Sequence, residues 1–413
     1  MKRVVIIGGG FGGLTAAQAL KNSNVEIILI DKTNHHLFQP LLYQVATAAL
    51  SPADIAAPIR GILGRQKNVT VIMGEVNSID RTNKTVKLNG KEIYFDYLVV
   101  AVGARHSYFG NNEWEKFAPG LKTLDDALSI REKILLAYEK AEYSNDPYEM
   151  QKYMTFVVVG GGPTGVEMAG AISEIANKSM IKDFRKIDPS KTKVILVEAA
   201  DRILTSYDKD LSDKAGESLK KLRVIIKKNT MVTDINEEGV WLGKELLPAF
   251  NVIWAAGNTI PEITESLNTK LDKAGRVVVN KDCSIEEDEN IFIIGDAACF
   301  YDNNGKILPG VSPVAMQQGR YVAKIIKKNI PKELRKPFQY FDKGNMATIG
   351  RAKAIMQIEK IKISGFTAWL AWCFVYILFL IGFRNKYKVM AEWIWHYITY
   401  KHGIRLITKN VLM

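Results

Sequence analysis

Arg3-Val4-Val5-Ile6-Ile7-Gly8-Gly9-Gly10-Phe11-Gly12-Gly13 decides the fold, because the pattern returns mid-chain as Phe156-Val157-Val158-Val159-Gly160-Gly161-Gly162-Pro163-Thr164-Gly165. In each copy a β-branched run enters a G-x-G-x-x-G turn and then a helical stretch, residues 14–20 in the first and 166–172 in the second. A further apolar strand follows and ends on an acid, Asp31 and Glu198 respectively. The glycines keep clear a space that any side chain would block. There the helix N-terminus offers a pyrophosphate unpaired N–H groups and a partial positive charge, and the acid accepts ribose hydroxyls. One fingerprint is a weak signal. Two in full context predict two dinucleotide sites held face to face, with hydride transfer between the dinucleotides as the leading expectation.

The 413 residues suffice for two or three domains. With 24% charged and 47% hydrophobic residues, the composition is that of an ordinary folded protein. A net charge of +12 points to nucleic acid, an anionic membrane surface or an anionic substrate. No recognition helix, zinc finger or aromatic-rich single-strand motif is present, so a nucleic-acid partner is not expected. Val4 already belongs to the first strand, so no signal peptide is expected and the chain should start in a reducing compartment. Cys283, Cys299 and Cys373 form no C-x-x-C pair, which argues against a disulfide framework. His35, His36, His106, His396 and His402 lack metal-ligand spacing; His35 and His36 read as loop residues, and no metal is expected.

The first fingerprint unit runs to residue 115 and includes a strand over 95–102 that ends on the small residues Gly103 and Ala104. Residues 124–143 read as an amphipathic helix with Leu128, Ile134, Leu135 and Tyr138 facing a core. The second unit, 116–262, closes with its own strand into Ala255-Ala256-Gly257. A late buried strand, Ile291-Phe292-Ile293-Ile294, then meets Gly295-Asp296. This turn resembles the one that meets the ribityl and phosphate part of FAD in two-dinucleotide flavoproteins. On that resemblance, segments 1–115 and 263–345 form an FAD-binding domain and 116–262 an inserted NADH-binding domain. The fold class expected is therefore α/β, with two Rossmann-like domains, followed by a C-terminal membrane-association region over 346–413. Glu198 would repel a 2′-phosphate and so favours NADH over NADPH; Arg202, four residues on, works against that preference.

Residues 366–383 hold no charge, an eighteen-residue run at the lower limit for a membrane span. Six Lys or Arg (384, 386, 388, 401, 405, 409) and one acid, Glu392, follow, interleaved with Trp393, Trp395, Tyr397 and Tyr400. A buried core or dimer helix and a true span both stay open. The reading chosen is a monotopic anchor, with its apolar face in lipid and its basic residues at the headgroups.

Together these residues resemble the type II NADH dehydrogenases, single-chain NADH:quinone oxidoreductases of respiratory membranes. The resemblance spans almost the whole chain. Its most specific stretch is His36-Leu37-Phe38-Gln39-Pro40-Leu41-Leu42-Tyr43-Gln44-Val45-Ala46-Thr47. Gly165-Val166-Glu167, the run from Pro309 to Gly319 and the tail Leu380-Ile381-Gly382-Phe383-Arg384-Asn385-Lys386 also match. The resemblance implies hydride transfer from NADH to non-covalent FAD, then two-electron reduction of a membrane quinone (ubiquinone or menaquinone) without proton pumping. It implies a peripheral enzyme on the inner face of the cytoplasmic membrane, and leaves a homodimer open. The FAD side is then Gly8, Gly10, Phe11, Gly12, Gly13, Asp31, Lys32, Gln44, Val76, Ala101, Gly103, Asp296 and Gln317. The NADH side is Gly160, Gly162, Pro163, Thr164, Gly165, Glu167, Glu198 and Gly257. Glu167 is the expected catalytic carboxylate, aligning the nicotinamide or relaying a proton. Tyr43, Gln44, Gln317 and Gln318 are expected at the quinone. Many members carry a glutamine four residues before Gln317, where this chain has Pro313, so quinone contact through that position is lost or replaced.

Three other readings compete. A sulfide:quinone oxidoreductase needs cysteines flanking the flavin, and Cys283 and Cys299 are not spaced as a relay pair. A disulfide reductase needs a C-x-x-x-x-C that residues 37–50 lack. A redox-sensing flavoprotein has no need of the apolar C-terminus.

Overall fold

Strand Lys2–Ile7 lies at the centre of a five-stranded parallel sheet, ordered Ile291–Ile293, Tyr97–Val100, Lys2–Ile7, Val25–Asp31, Val69–Met73. Val4, Val5 and Ile6 are fully buried, as a strand covered on both faces requires. The strand order reverses at this central strand, so its carboxyl end opens the crevice where such sheets take ligands. Gly8 stands there, and the helix Phe11–Ala19 starts beyond it. That helix packs on Ser312–Lys328 so closely that a Cβ at Gly319 would meet the Gly12 carbonyl at 2.5 Å. An antiparallel sheet of Val76–Asp80, Thr85–Leu88 and Lys91–Tyr94 belongs to the same unit.

The computed structural model describes residues 1–399 and 404–407. Its contacts divide the chain into two units, and the unit just described holds Met1–Leu37, Ala56–Arg105 and Asn258–Lys343. The other holds Phe38–Ile55, His106–Gly257 and the chain from Gly344 onward. Its parallel sheet runs Val224–Lys227, Lys193–Val197, Thr155–Val159, Asn251–Trp254, again with the strand before a glycine loop in the interior. Helix Leu124–Tyr143 begins as a capping box. The Thr123 hydroxyl accepts from the Asp126 amide, and the Asp126 carboxylate accepts from the Thr123 amide. Of its expected core residues Ile134, Leu135 and Tyr138 are buried and Leu128 is half-buried.

These cuts differ from 115/116, 262/263 and 345/346. Phe38, Leu41, Leu42, Tyr43, Val45 and Leu50 are buried, and the short helix Leu42–Ala46 packs on Leu124–Tyr143 and Pro163–Glu174. Apolar burial thus carries residues 38–55 into the second unit, although both flanking strands belong to the first. The chain from Gly344 joins the same unit through the antiparallel sheet Asn345–Thr348, Ala354–Ile358, Ile361–Gly365 and two helices.

Among the described residues no helix is long and apolar enough to cross a bilayer. The uncharged run makes a 14-residue helix, Phe366–Phe379, then breaks at Gly382, whose φ is +87°. At 1.5 Å per residue such a helix covers roughly 21 Å of the roughly 30 Å hydrocarbon layer. A second helix, Phe383–Thr399, follows. Ala368 and Trp372 are buried, while Phe366, Leu370, Phe374 and Leu378 are exposed at four-residue intervals. Tyr387, Met390, Ile394 and Ile398 make a similar exposed row on the second helix. Tyr400, Lys401, His402 and Lys409 lie outside the described residues.

Candidate functional site

The two glycine loops show the same geometry. Gly8 and Gly160 have φ of +101° and +109°, in the left-handed region that side chains disfavour. A Cβ at Gly13 would run into the Gly8 carbonyl and one at Gly165 into the Gly160 carbonyl, so the helix can pack on its strand only through glycine. Gly10 and Gly162, by contrast, face open space and cap their helices with no side-chain hydrogen bond. A bare helix N-terminus beside a cleared space fits the pyrophosphate of a dinucleotide in both loops.

Each acid also braces its own loop. Asp31 Oδ2 accepts from the Gly9 amide at 2.6 Å, and Oδ1 accepts from the Thr33 amide at 2.7 Å. Glu198 accepts from the amides of Gly161 and Ala200. The Arg202 guanidinium donates to the carbonyls of Tyr207 and Thr205, at 2.7 and 3.0 Å, which orients it over its own turn. Correcting the loop expectation, His35–Leu37 is a short strand paired with Ala56–Pro58. The buried His36 ring is bonded to the Gly9 carbonyl and stands edge-on to Phe11, and burial holds its pKa below the ordinary value.

Around the first loop, the Ala101 carbonyl closes on Gly8 and Gly103 faces open space. Val76 is buried and Lys32 exposed. Gly295, with φ +69°, starts the Asp296 turn, and its amide donates to Gln318 Oε1 at 2.8 Å. Gln318 is fully buried and its Nε2 has no acceptor among the described residues. Gln317 is occupied otherwise, exchanging two hydrogen bonds with the Phe341 backbone. In the second unit Pro163 and Thr164 are exposed at the helix start, and Gly257 closes on the Phe109 ring.

Tyr43, Gln44 and Glu167 come together in the second unit, and Gln317 and Gln318 belong to the first. A hydrogen-bonded chain joins them. Trp393 Nε1 donates to Gln44 Oε1 at 2.8 Å, and Gln44 Nε2 donates to Tyr43 Oη at 2.9 Å. Tyr43 Oη bonds Thr348 Oγ1 at 2.9 Å, and the Thr348 amide and hydroxyl donate to Glu167 Oε1 at 3.3 and 3.4 Å. Burial raises the Glu167 carboxyl to about 8 against those two weak bonds, so it is mostly protonated at neutral pH. Burial likewise pushes the Tyr43 phenol well up, with the Glu167 charge adding to it.

This chain borders a cleft whose empty volume, open solvent included, is about 670 Å³. Trp369, Trp372, Trp393 and Tyr397 of the C-terminal helices wall it. Ala171, Glu174, Arg351, Glu392 and His396 also line it. Trp393, expected at a bilayer interface, lines this cavity and bonds Gln44. Thr348 and Glu174 escaped the sequence reading. Only Glu174 left a signal there: seven residues beyond Glu167, it falls on the same helix face.

The family model for pyridine nucleotide-disulphide oxidoreductases matches residues 2–319, and that for the NDH2 C-terminal domain matches 343–402. The chain is 43% identical to the type II NADH:quinone oxidoreductase NdhA of Mycobacterium tuberculosis, over 99% of this chain and 90% of that one. It is 30% identical to the type II NADH:quinone oxidoreductase of Staphylococcus haemolyticus, over 84% and 88%. Among solved structures, NDH2 of Plasmodium falciparum in complex with NADH superposes with a TM-score of 0.89 at 21% identity, covering 99% of this chain and 100% of that one. The sulfide:quinone oxidoreductase of Aquifex aeolicus shares the fold with a TM-score of 0.71 at 20% identity, over 95% and 92%.

Proposed function

The chain belongs to the type II NADH:quinone oxidoreductases, and from that premise we infer which of its residues carry the reaction. It is an FAD-dependent oxidoreductase in which bound FAD supplies the redox chemistry, accepting hydride from NADH and returning two electrons to a membrane quinone without proton pumping. One observation carries our site assignment. Glu167 stands two residues past the Gly160–Gly165 loop and at the same time lines the aromatic cavity.

On this reading Gly8, Gly10, Phe11, Gly12, Gly13, Asp31, Lys32, Val76, Ala101, Gly103 and Asp296 hold FAD, and Gln318 uses its spare Nε2–H toward it. Gly160, Gly162, Pro163, Thr164, Gly165, Glu198 and Gly257 hold NADH. Glu198 repels a 2′-phosphate, so NADH is preferred over NADPH. Tyr43 and Gln44 orient the quinone in the cavity, where stacked aromatic walls suit a flat apolar ring. Glu167 stores a proton beside it at neutral pH and releases it through the Thr348 and Tyr43 hydroxyls. The bonds Gln317 makes to Phe341 leave it a bracing role in place of quinone contact.

The enzyme is membrane-associated. We assign the attachment to the exposed rows Phe366–Leu370–Phe374–Leu378 and Tyr387–Met390–Ile394–Ile398, lying in the inner leaflet of the cytoplasmic membrane with Arg384 and Lys386 at the headgroups. A homodimer is the alternative cover for the same rows. The sulfide reading is disfavoured: all three cysteines are free, and burial pushes the Cys299 thiol up, away from the thiolate a sulfur relay uses.

Anaerobic mixing of the FAD-loaded protein with NADH and then a short-chain quinone tests the reading. Bleaching of the flavin by NADH and recovery with quinone are expected. Bleaching by sulfide but not NADH would overturn it.

A further inference from the structure

Quinone reduction by NADH leaves one proton to find: NADH + H⁺ + Q → NAD⁺ + QH₂. Two electrons and one hydrogen arrive from the nicotinamide as hydride, and the second hydrogen must come from water. Glu167 can hold a single proton and needs reloading every turnover.

A second carboxylate faces the same cavity. Helix Pro163–Glu174 presents Glu167, Ala171 and Glu174 to it, one above another at four- and three-residue spacing. Seven residues of helix put the backbones of the two glutamates roughly 10 Å apart along the axis, and the small Ala171 between them leaves space that ordered water can bridge. Glu174 ends the helix proper, and the next turn, Ile175–Ser179, is a π-helix, a rare form frequent at functional sites. Its Oε1 accepts from the Arg351 amide at 2.6 Å, which fixes the carboxylate at the cavity wall.

The groups around Glu174 set its charge. Lys178 follows one turn on, Arg351 and Lys353 face it from the turn after Asn345–Thr348, Glu167 lies two turns back, and Glu392 and His396 stand on the cavity-lining face of the last helix. The Arg351 guanidinium lies over the Tyr397 ring, 4.4 Å from its centroid, at the cavity rim. Burial raises Glu174 to about 7, against the Arg351 amide and the three cations. Near neutral pH it therefore both takes and gives a proton.

We propose that Glu174 is the group through which this cavity draws its proton from water, past Glu392 and His396, and hands it along the Ala171 face to Glu167. This rests on the quinone-site reading above. Glu174 touches no substrate in this scheme and acts through Glu167.

The test is stopped-flow reoxidation of the NADH-reduced holoenzyme by a short-chain quinone, from pH 5.5 to 9, in the parental protein, Glu174→Gln and Glu174→Asp. Gln keeps an acceptor for the Arg351 amide but cannot titrate. We expect flavin reduction by NADH to survive in Glu174→Gln, while reoxidation above pH 7 slows about tenfold. Its inflection near pH 7 should disappear, and added imidazole, a small proton donor, should restore the rate. An unchanged pH profile overturns the proposal, as does equal slowing of both half-reactions without rescue, which is what a bracing role for the Arg351 turn gives. Should the Gln variant not fold, Glu174→Asp decides. Its carboxylate is drawn back from the Arg351 amide, so the inflection must move, and an unmoved one overturns the idea. Failure of the parental protein itself to be reoxidised by quinone would sink the quinone reading and this proposal with it, and is recognisable because it needs no variant.

Discussion

At the scale of single residues, Glu167 is the clearest instance of placement outweighing identity. A glutamate one turn into a helix is ordinarily a solvated carboxylate favoured by the macrodipole. Here it is 7% exposed with only Thr348, among the described residues, bonded to it, and it holds its proton to about pH 8. Two consequences follow from the sign of that shift. The quinone half-reaction should fall as pH rises through about 8, and Glu167→Gln should slow it about a hundredfold while the flavin is still reduced by NADH. Folding stability carries the opposite signature. Between the unfolded value near 4.5 and the folded value near 8, the native state holds a proton that the unfolded state has lost, so stability declines with rising pH over that window. Urea melts at pH 6 and 9 should show Glu167→Gln gaining stability relative to the parent at the higher pH. Equal differences at both pH values would mean that the carboxyl is not desolvated. The glutamate could be read from its position after the glycine loop, but its environment could not, since Tyr43 and Thr348 are 124 and 181 residues away in the chain.

At the scale of elements, the two glycine loops were legible almost atom by atom, because each glycine answers a local demand of strand, turn and helix. The same locality makes them separable. Gly165→Ala sets a methyl against the Gly160 carbonyl, and Gly13→Ala against the Gly8 carbonyl. On the proposed allocation, Gly165→Ala should purify yellow but resist bleaching by NADH, whereas Gly13→Ala should lose its flavin. The reverse pattern, read from absorbance spectra alone, would exchange the two cofactors between the units. The last helix is held differently. Lys388 reaches the buried Asp54 at 2.7 Å, fastening Phe383–Thr399 to residues 38–55. Replacing Lys388 with Met leaves Asp54 with the Ser51 amide alone and should cost about 1–2 kcal/mol in denaturant melts, discounted because the lysine is itself well exposed. No spacing rule links Lys388 to Asp54; the pair exists only because the two helices meet.

On the scale of the whole molecule, the net charge of +12 and the exposed apolar rows act together. Leu370→Glu with Phe374→Glu removes two side chains worth roughly 1.5–3 kcal/mol each on burial, so vesicle binding should fall more than tenfold while turnover with a short-chain quinone persists. Flotation with anionic vesicles measures this; unchanged flotation combined with loss of self-association would assign the rows to a dimer instead. What the sequence determined by itself were the features with local causes: two glycine-loop units, their acids, the Leu124–Tyr143 helix, and an apolar basic tail. These follow from periodicity, turn sterics and charge, which act over a few residues. Tertiary structure alone decided that residues 38–55 leave their flanking strands to join the other unit, and that the eighteen-residue run breaks into two helices at Gly382. It also brought Trp393, Gln44, Tyr43, Thr348 and Glu167 into one hydrogen-bonded line, with Glu174 on the same cavity. The reason is physical: desolvation and long-range packing depend on which apolar surfaces find each other, and no stretch of chain carries that information alone.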